Sequence, residues 1–149
     1  MTDALLMTVH AGTAAVWLGA MLYSLFVVQP RAAAALEDAE PLFVALAARA
    51  RWMVIAMCAV LAASGAGLIA IEDDASTAWT VLVSVKTALL IAALALFGDV
   101  SWRMWPARLF ALPEEVSQHR RRFRVVAFAL TALVGTAFVL GTVADTLGQ

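Results

Sequence analysis

Four long stretches of the chain carry almost no polar side chains, and they set its architecture. They run from about Ala4 to Val28, Trp52 to Ile71, Trp79 to Phe97 and Val125 to Ala144. Each approaches the roughly 20 mainly apolar residues that a membrane-crossing helix needs. The second and fourth contain no charge, the third contains only Lys86, and the first has His10 as its one strongly polar group. Strands of a membrane barrel would alternate over segments of about ten residues. These runs are twice that long and rich in Ala, Leu and Val, and backbone groups in lipid must be paired within their own segment, so the runs predict helices. The expected fold class is all-α: an integral membrane four-helix bundle forming a single domain over residues 1–149. No internal repeat is visible in the sequence. The start, Met1-Thr2-Asp3 with no Lys or Arg before Arg31, reads as a retained first helix rather than a cleaved signal.

Composition agrees. Of the 149 residues, 64% are hydrophobic and 14% charged, with a mean hydropathy of +0.91. A soluble domain is about half apolar and a quarter charged, so too little polar surface remains for an ordinary cytosolic or secreted enzyme. One cysteine excludes an intrachain disulfide framework or a cysteine-based zinc site. A net charge of -1 gives no basic field for nucleic acid.

The charges that exist are unevenly placed. Arg31, Arg49 and Arg51 fall in the first connection, and Arg103, Arg108, Arg120, Arg121, Arg122 and Arg124 in the third. The second connection, Glu72 to Ala78, is acidic and has neither Lys nor Arg. The excess of positive charge predicts that connections one and three are cytoplasmic and that both termini lie outside. A reporter active only in the cytoplasm should therefore signal from the third connection and stay silent at the C-terminus; the reverse pattern overturns this topology. Arg120–Arg124 reads as a topology anchor beside anionic lipid, with His119 as an interfacial neighbour. Trp52, Trp102 and Trp105 at the inner boundary and Trp79 at the outer one read as an aromatic belt. Leu36–Ala50 and Arg108–Phe123 carry helix signals, among them Pro41 and Pro113-Glu114-Glu115. Each is either a short amphipathic helix on the membrane or an extension of a span.

Ionisable groups inside a membrane are costly and mark function by default. His10 and Lys86 each lie six or seven residues into a span from the outer side, at a depth of roughly 9–11 Å by helical rise. Two spans thus place their only ionisable group at one depth. A neutral imidazole is a metal or haem ligand, and a lysine that has lost its proton also offers a lone pair. The rival readings are a packing histidine bonded to a hydroxyl such as Thr142, and a lysine snorkelling to Glu72, Asp73, Asp74 or Asp145. If the two act as one site, single replacements and the double replacement should be comparably damaging. Opposite them at that depth stand Ser64-Gly65-Ala66-Gly67 and Leu140-Gly141-Thr142, small residues that permit close helix approach or leave room for a flat cofactor.

Trp17, near mid-membrane on the His10 face, walls a cofactor pocket or fills the bundle core. Met7, three residues before His10, is a soft donor suited to Cu(I). Met53, Met57 and Cys58 form a second soft cluster, but Met57 lies about 15 Å or more from the outer end of its helix, so they share no coordination sphere with His10. Asp99 reads as a clamp to Arg51 or Arg103. Phosphate loops, serine-hydrolase elbows, paired carboxylates and HExxH are absent, and the reading leans away from an enzyme.

The order His10-x6-Trp17-Leu18-Gly19, Gln29-Pro30-Arg31, Ser64-Gly65-Ala66-Gly67 and Val85-Lys86-Thr87 resembles the membrane domain of the copper-resistance protein D (CopD-like) family over nearly the whole chain. That resemblance implies a multi-pass protein of a bacterial inner membrane involved in copper uptake or tolerance. A pore built from this core alone would imply a homo-oligomer, and a periplasmic copper-binding protein is an expected partner beside the lipid bilayer. His10, Trp17, Tyr23 and Lys86 are also similar to the HemJ-type protoporphyrinogen oxidases, which implies haem b held at His10 and Lys86. Those proteins carry an Arg after the Tyr, where this chain has Ser24-Leu25-Phe26. A third possibility is a structural or partner-binding subunit without a cofactor.

Overall fold

The computed structural model describes residues 2–72, 76–109 and 116–147. Among them there is no strand, and the chain order is α1 (Thr2–Tyr23), a π turn (Ser24–Val28), α2 (Gln29–Ala35), α3 (Glu40–Ala70), α4 (Thr77–Asp99), a π turn (Val100–Met104), α5 (Trp105–Leu109) and α6 (Val116–Leu147). Four helices are long and apolar enough to cross a membrane: Asp3–Ala35, Glu40–Ala70, Thr77–Ala107 and Arg121–Val143. The protein is all-α, and by helix length and composition it is a multi-pass membrane protein.

The chain divides into two compact units, Met1–Ala75 and Ser76–Gln149. In the first, α1 packs along α3; in the second, α4 packs along α6. Each unit is a helical hairpin.

The helices outrun the apolar stretches because both span ends that point toward the arginines continue through a proline. A proline inside a helix lacks an N–H, and its ring strikes the carbonyl four residues back. Here the preceding turn is widened. The Gln29 N–H donates to Ser24 O and the Trp105 N–H to Val100 O, five residues back in each case. Pro30 and Pro106 follow immediately, and the helix runs on past them. A π turn thus absorbs each proline where the hydropathy pattern had placed an exit.

The two connections settle as extensions of spans. Glu40–Arg51 belongs to one unbroken α3 that reaches Ala70, leaving residues 36–39 as the link. Asp38 Oδ1 accepts from the Glu40 N–H at 3.0 Å, helping to start that helix. Residues 116–123 likewise belong to α6, while Pro113-Glu114-Glu115, Asp73 and Asp74 lie outside the described residues, as does the Asp145 side chain. At 31 residues α3 is about 46 Å long, longer than the roughly 30 Å that a hydrocarbon core requires. At the start of α4 the Ser76 hydroxyl caps the helix, accepting from the Trp79 N–H at 3.1 Å.

Side-chain polarity is dealt with locally. Thr8, Thr13, Ser84, Thr87 and Thr131 each donate their hydroxyl to the carbonyl four residues back at 2.7–2.8 Å, which satisfies hydroxyls that lipid cannot. Large apolar side chains such as Leu5, Val16, Phe26, Ile91 and Val139 point outward. The buried set is small by contrast: Trp17, Cys58, Leu61, Ser64, Ala93, Ser101, Met104, Trp105, Thr131 and Val134 are among it.

One aromatic assignment changes. Trp52 and Trp102 are exposed, but Trp105 is buried, its ring 5.7 Å from that of Phe123. It locks α5 to α6 rather than facing the interface. Asp99 pairs with Arg103 at 3.6 Å across the second π turn. The pair is largely exposed, so it contributes at most about 1 kcal/mol.

Candidate functional site

His10 sits on α1, whose Ala- and Leu-rich surroundings are good helix formers, and it faces the small-residue end of α3. The close approach of these helices rests on glycine. A Cβ added at Gly65 would lie 3.3 Å from His10 Cε1 and 3.7 Å from Nδ1, and one at Gly67 would lie 3.3 Å from Leu6 Cδ1. The imidazole is therefore laid against the bare backbone of α3. Small residues opposite His10 were the sequence expectation, and they are what faces it.

The partner of His10 is Ser64. Nδ1 lies 2.9 Å from Ser64 Oγ, and Ser64 is itself buried. Its hydroxyl donates to Val60 O at 2.7 Å, one turn back on α3. A Ser64 hydroxyl that donates to Val60 O can also accept from a His10 Nδ1–H, the arrangement in which the ring lone pair is on Nε2. The Thr142 hydroxyl, one example of a bonding partner for a packing histidine, donates to Val139 O on its own helix at 2.8 Å. Sequence placed Ser64 at the right depth but could not select it, because choosing a partner requires the rotation of both helices.

Met7 is half-buried on the same helix, one turn before His10, so the two share a face. Trp17, two turns further on, is 2% exposed. That burial places it in the protein interior.

In the second unit Lys86 on α4 faces α6. A Cβ at Gly141 would lie 3.0 Å from Lys86 Nζ and 3.6 Å from Cε. Again the polar side chain lies over a glycine of the returning helix, as its depth had suggested.

Two members of the inner soft cluster, Met53 and Cys58, differ in burial. Met53 is 60% exposed while Cys58, five residues on, is 8% exposed, so the two project from different sides of α3. Among the described residues no group of three or more His, Cys, Asp or Glu side chains gathers to hold a metal ion. No family model matches the chain, and neither curated proteins nor solved structures provide a match.

Proposed function

We propose that this protein handles copper from the outer side of a bacterial inner membrane, with His10 as the principal ligand and Met7 as a second donor. The observation that carries the reading is the Ser64 bond. Metal-ligating histidines donate their other ring N–H to an acceptor that fixes the tautomer and the ring plane. Ser64 supplies that acceptor, itself oriented by Val60 O, and directs the Nε2 lone pair into the role of ligand. An imidazole with a thioether one turn away suits Cu(I), a soft ion that takes both. Two donors leave a coordination sphere to be completed by a partner or by a second ion-carrying molecule, which fits a transfer site better than a storage site.

The chain's own residues do three things in this scheme. Gly65 allows the ring to approach α3 closely, Ser64 holds its tautomer, and the apolar spans keep competing water away from the soft ion. Protein purified from copper-supplemented membranes without chelators should carry copper by mass spectrometry and lack a Soret band. A Soret band without copper would move the same imidazole to haem b. Protein with neither would leave the reading without support.

The inner cluster is outside this scheme. Replacing Met53, Met57 and Cys58 together by Leu, Leu and Ala should leave copper content and copper-dependent growth within about twofold of the parent. The reason is their separation along α3 from Ser64, where His10 meets that helix: about two to three helical turns, or roughly 9–16 Å by rise. A loss as large as that of His10→Ala would make the cluster a second station.

A further inference from the structure

The two hairpins repeat one another at a fixed register. The first π turn begins at Ser24 and the second at Val100, an offset of 76 residues. The same offset carries Pro30 onto Pro106, and the start of α2 at Gln29 onto the start of α5 at Trp105. It carries buried Trp17 onto buried Ala93 and buried Cys58 onto buried Val134. It also carries His10 onto Lys86 and Gly65 onto Gly141, the two places where a polar side chain lies over a glycine of the returning helix. Identical residues at this spacing are few, among them Leu6 and Leu82, Val9 and Val85, Leu18 and Leu94, and Ala56 and Ala132.

A π turn is a rare conformation, well under 1% of residues in soluble proteins. Two unrelated helical hairpins have no reason to place one at the same distance from a proline, a buried position, a polar residue and its facing glycine. We infer that residues 1–75 and 76–149 are two copies of one helical hairpin, and that position 86 is the second copy's version of the His10 ligand seat. The seats have diverged together. Ser64, which holds the imidazole, corresponds to Leu140, which has no acceptor for a ring N–H. The second copy carries a lysine, whose long side chain reaches over Gly141 without that acceptor. Restoring both residues should restore the seat.

Two measurements on the full-length chain test this, and the metal arm alone rests on His10 being a copper ligand. In a Cys58→Ala background, cysteine pairs at positions 6 and 67 and at positions 82 and 143 are treated in membranes with a short thiol cross-linker. The first pair replaces Leu6 and Gly67, which touch, and the repeat requires the second to cross-link comparably. Cross-linking of the first pair alone would overturn it. In a His119→Gln background, the double variant K86H/L140S is then compared with its parent by nitrogen NMR of the imidazoles and by copper content. The introduced ring should match His10 as a neutral Nδ1–H tautomer, and once V83M is added, because Val83 stands where the first copy has Met7, bound copper should double. Matching tautomers with no copper on either ring would uphold the seat and defeat the copper reading. Copper on His10 with a mismatched second ring would overturn the seat equivalence.

Discussion

His10→Ala is expected to remove nearly all copper from the purified protein while leaving it inserted and folded. The ring is the only imidazole within a span, and Met7 alone is a weak single donor. Ser64→Ala should act through the ring. It leaves the Nδ1–H without its acceptor and frees the tautomer, so affinity should fall about 10- to 100-fold, as for other groups that orient a metal-bound histidine. Ser64→Thr keeps a hydroxyl at the same position and should recover most of that loss. Gly65→Leu should damage the site by a different route. Even a Cβ there meets the ring at 3.3 Å, so a branched side chain must push His10 off α3. Competition titration of each variant with a Cu(I) chelator gives the affinities. Parental affinity in Ser64→Ala would remove the tautomer argument, and parental affinity in His10→Ala would remove the site.

The largest effect on stability is expected at Trp17. It is the largest side chain that is fully buried, at 2% exposure, and truncation to Ala leaves a cavity lined by neighbours that relax only in part. A loss of about 3 kcal/mol is expected, at the lower end for buried Trp→Ala, because lipid is as apolar as the interior and the transfer part of the cost largely disappears. Packing and the cavity remain. Unfolding in mixed micelles with increasing sodium dodecyl sulfate should show the shift. Trp52→Ala, at 72% exposure, should change the same midpoint little. Equal effects from the two would mean that Trp17 does not pack as its burial implies.

The contrast between these tryptophans marks the limit of reading spans from hydropathy. Trp52, Trp102 and Trp105 look alike in sequence, all near a run of arginines. Only tertiary packing puts Trp105 against Phe123 and leaves the others outside. Likewise Pro30 reads as the end of the first span. The helix passes it because the backbone has a second option, the π turn, that hydropathy does not encode.

What the sequence determined by itself is therefore the one-dimensional part. Apolar length dictates four helices, since a backbone in lipid has no other way to pair its polar groups. Counting residues along a helix with a fixed rise puts His10 and Lys86 each six or seven residues into its own span and a glycine of the returning helix opposite each. What only the tertiary structure decided depends on rotation about the helix axes: that Ser64 meets His10, that Met53 and Cys58 part company, and that Trp17 is interior. In a soluble helix an apolar stripe would announce the buried face. In these spans every face is apolar, so the sequence carries little signal for which one turns inward. The hairpin repeat is hidden for the same reason. Leu, Val, Ala and Phe exchange freely on lipid-facing surfaces, so identity between the halves has nearly vanished. The π turns, the prolines and the glycines beneath His10 and Lys86 keep their register, because backbone geometry and close approach admit few substitutes.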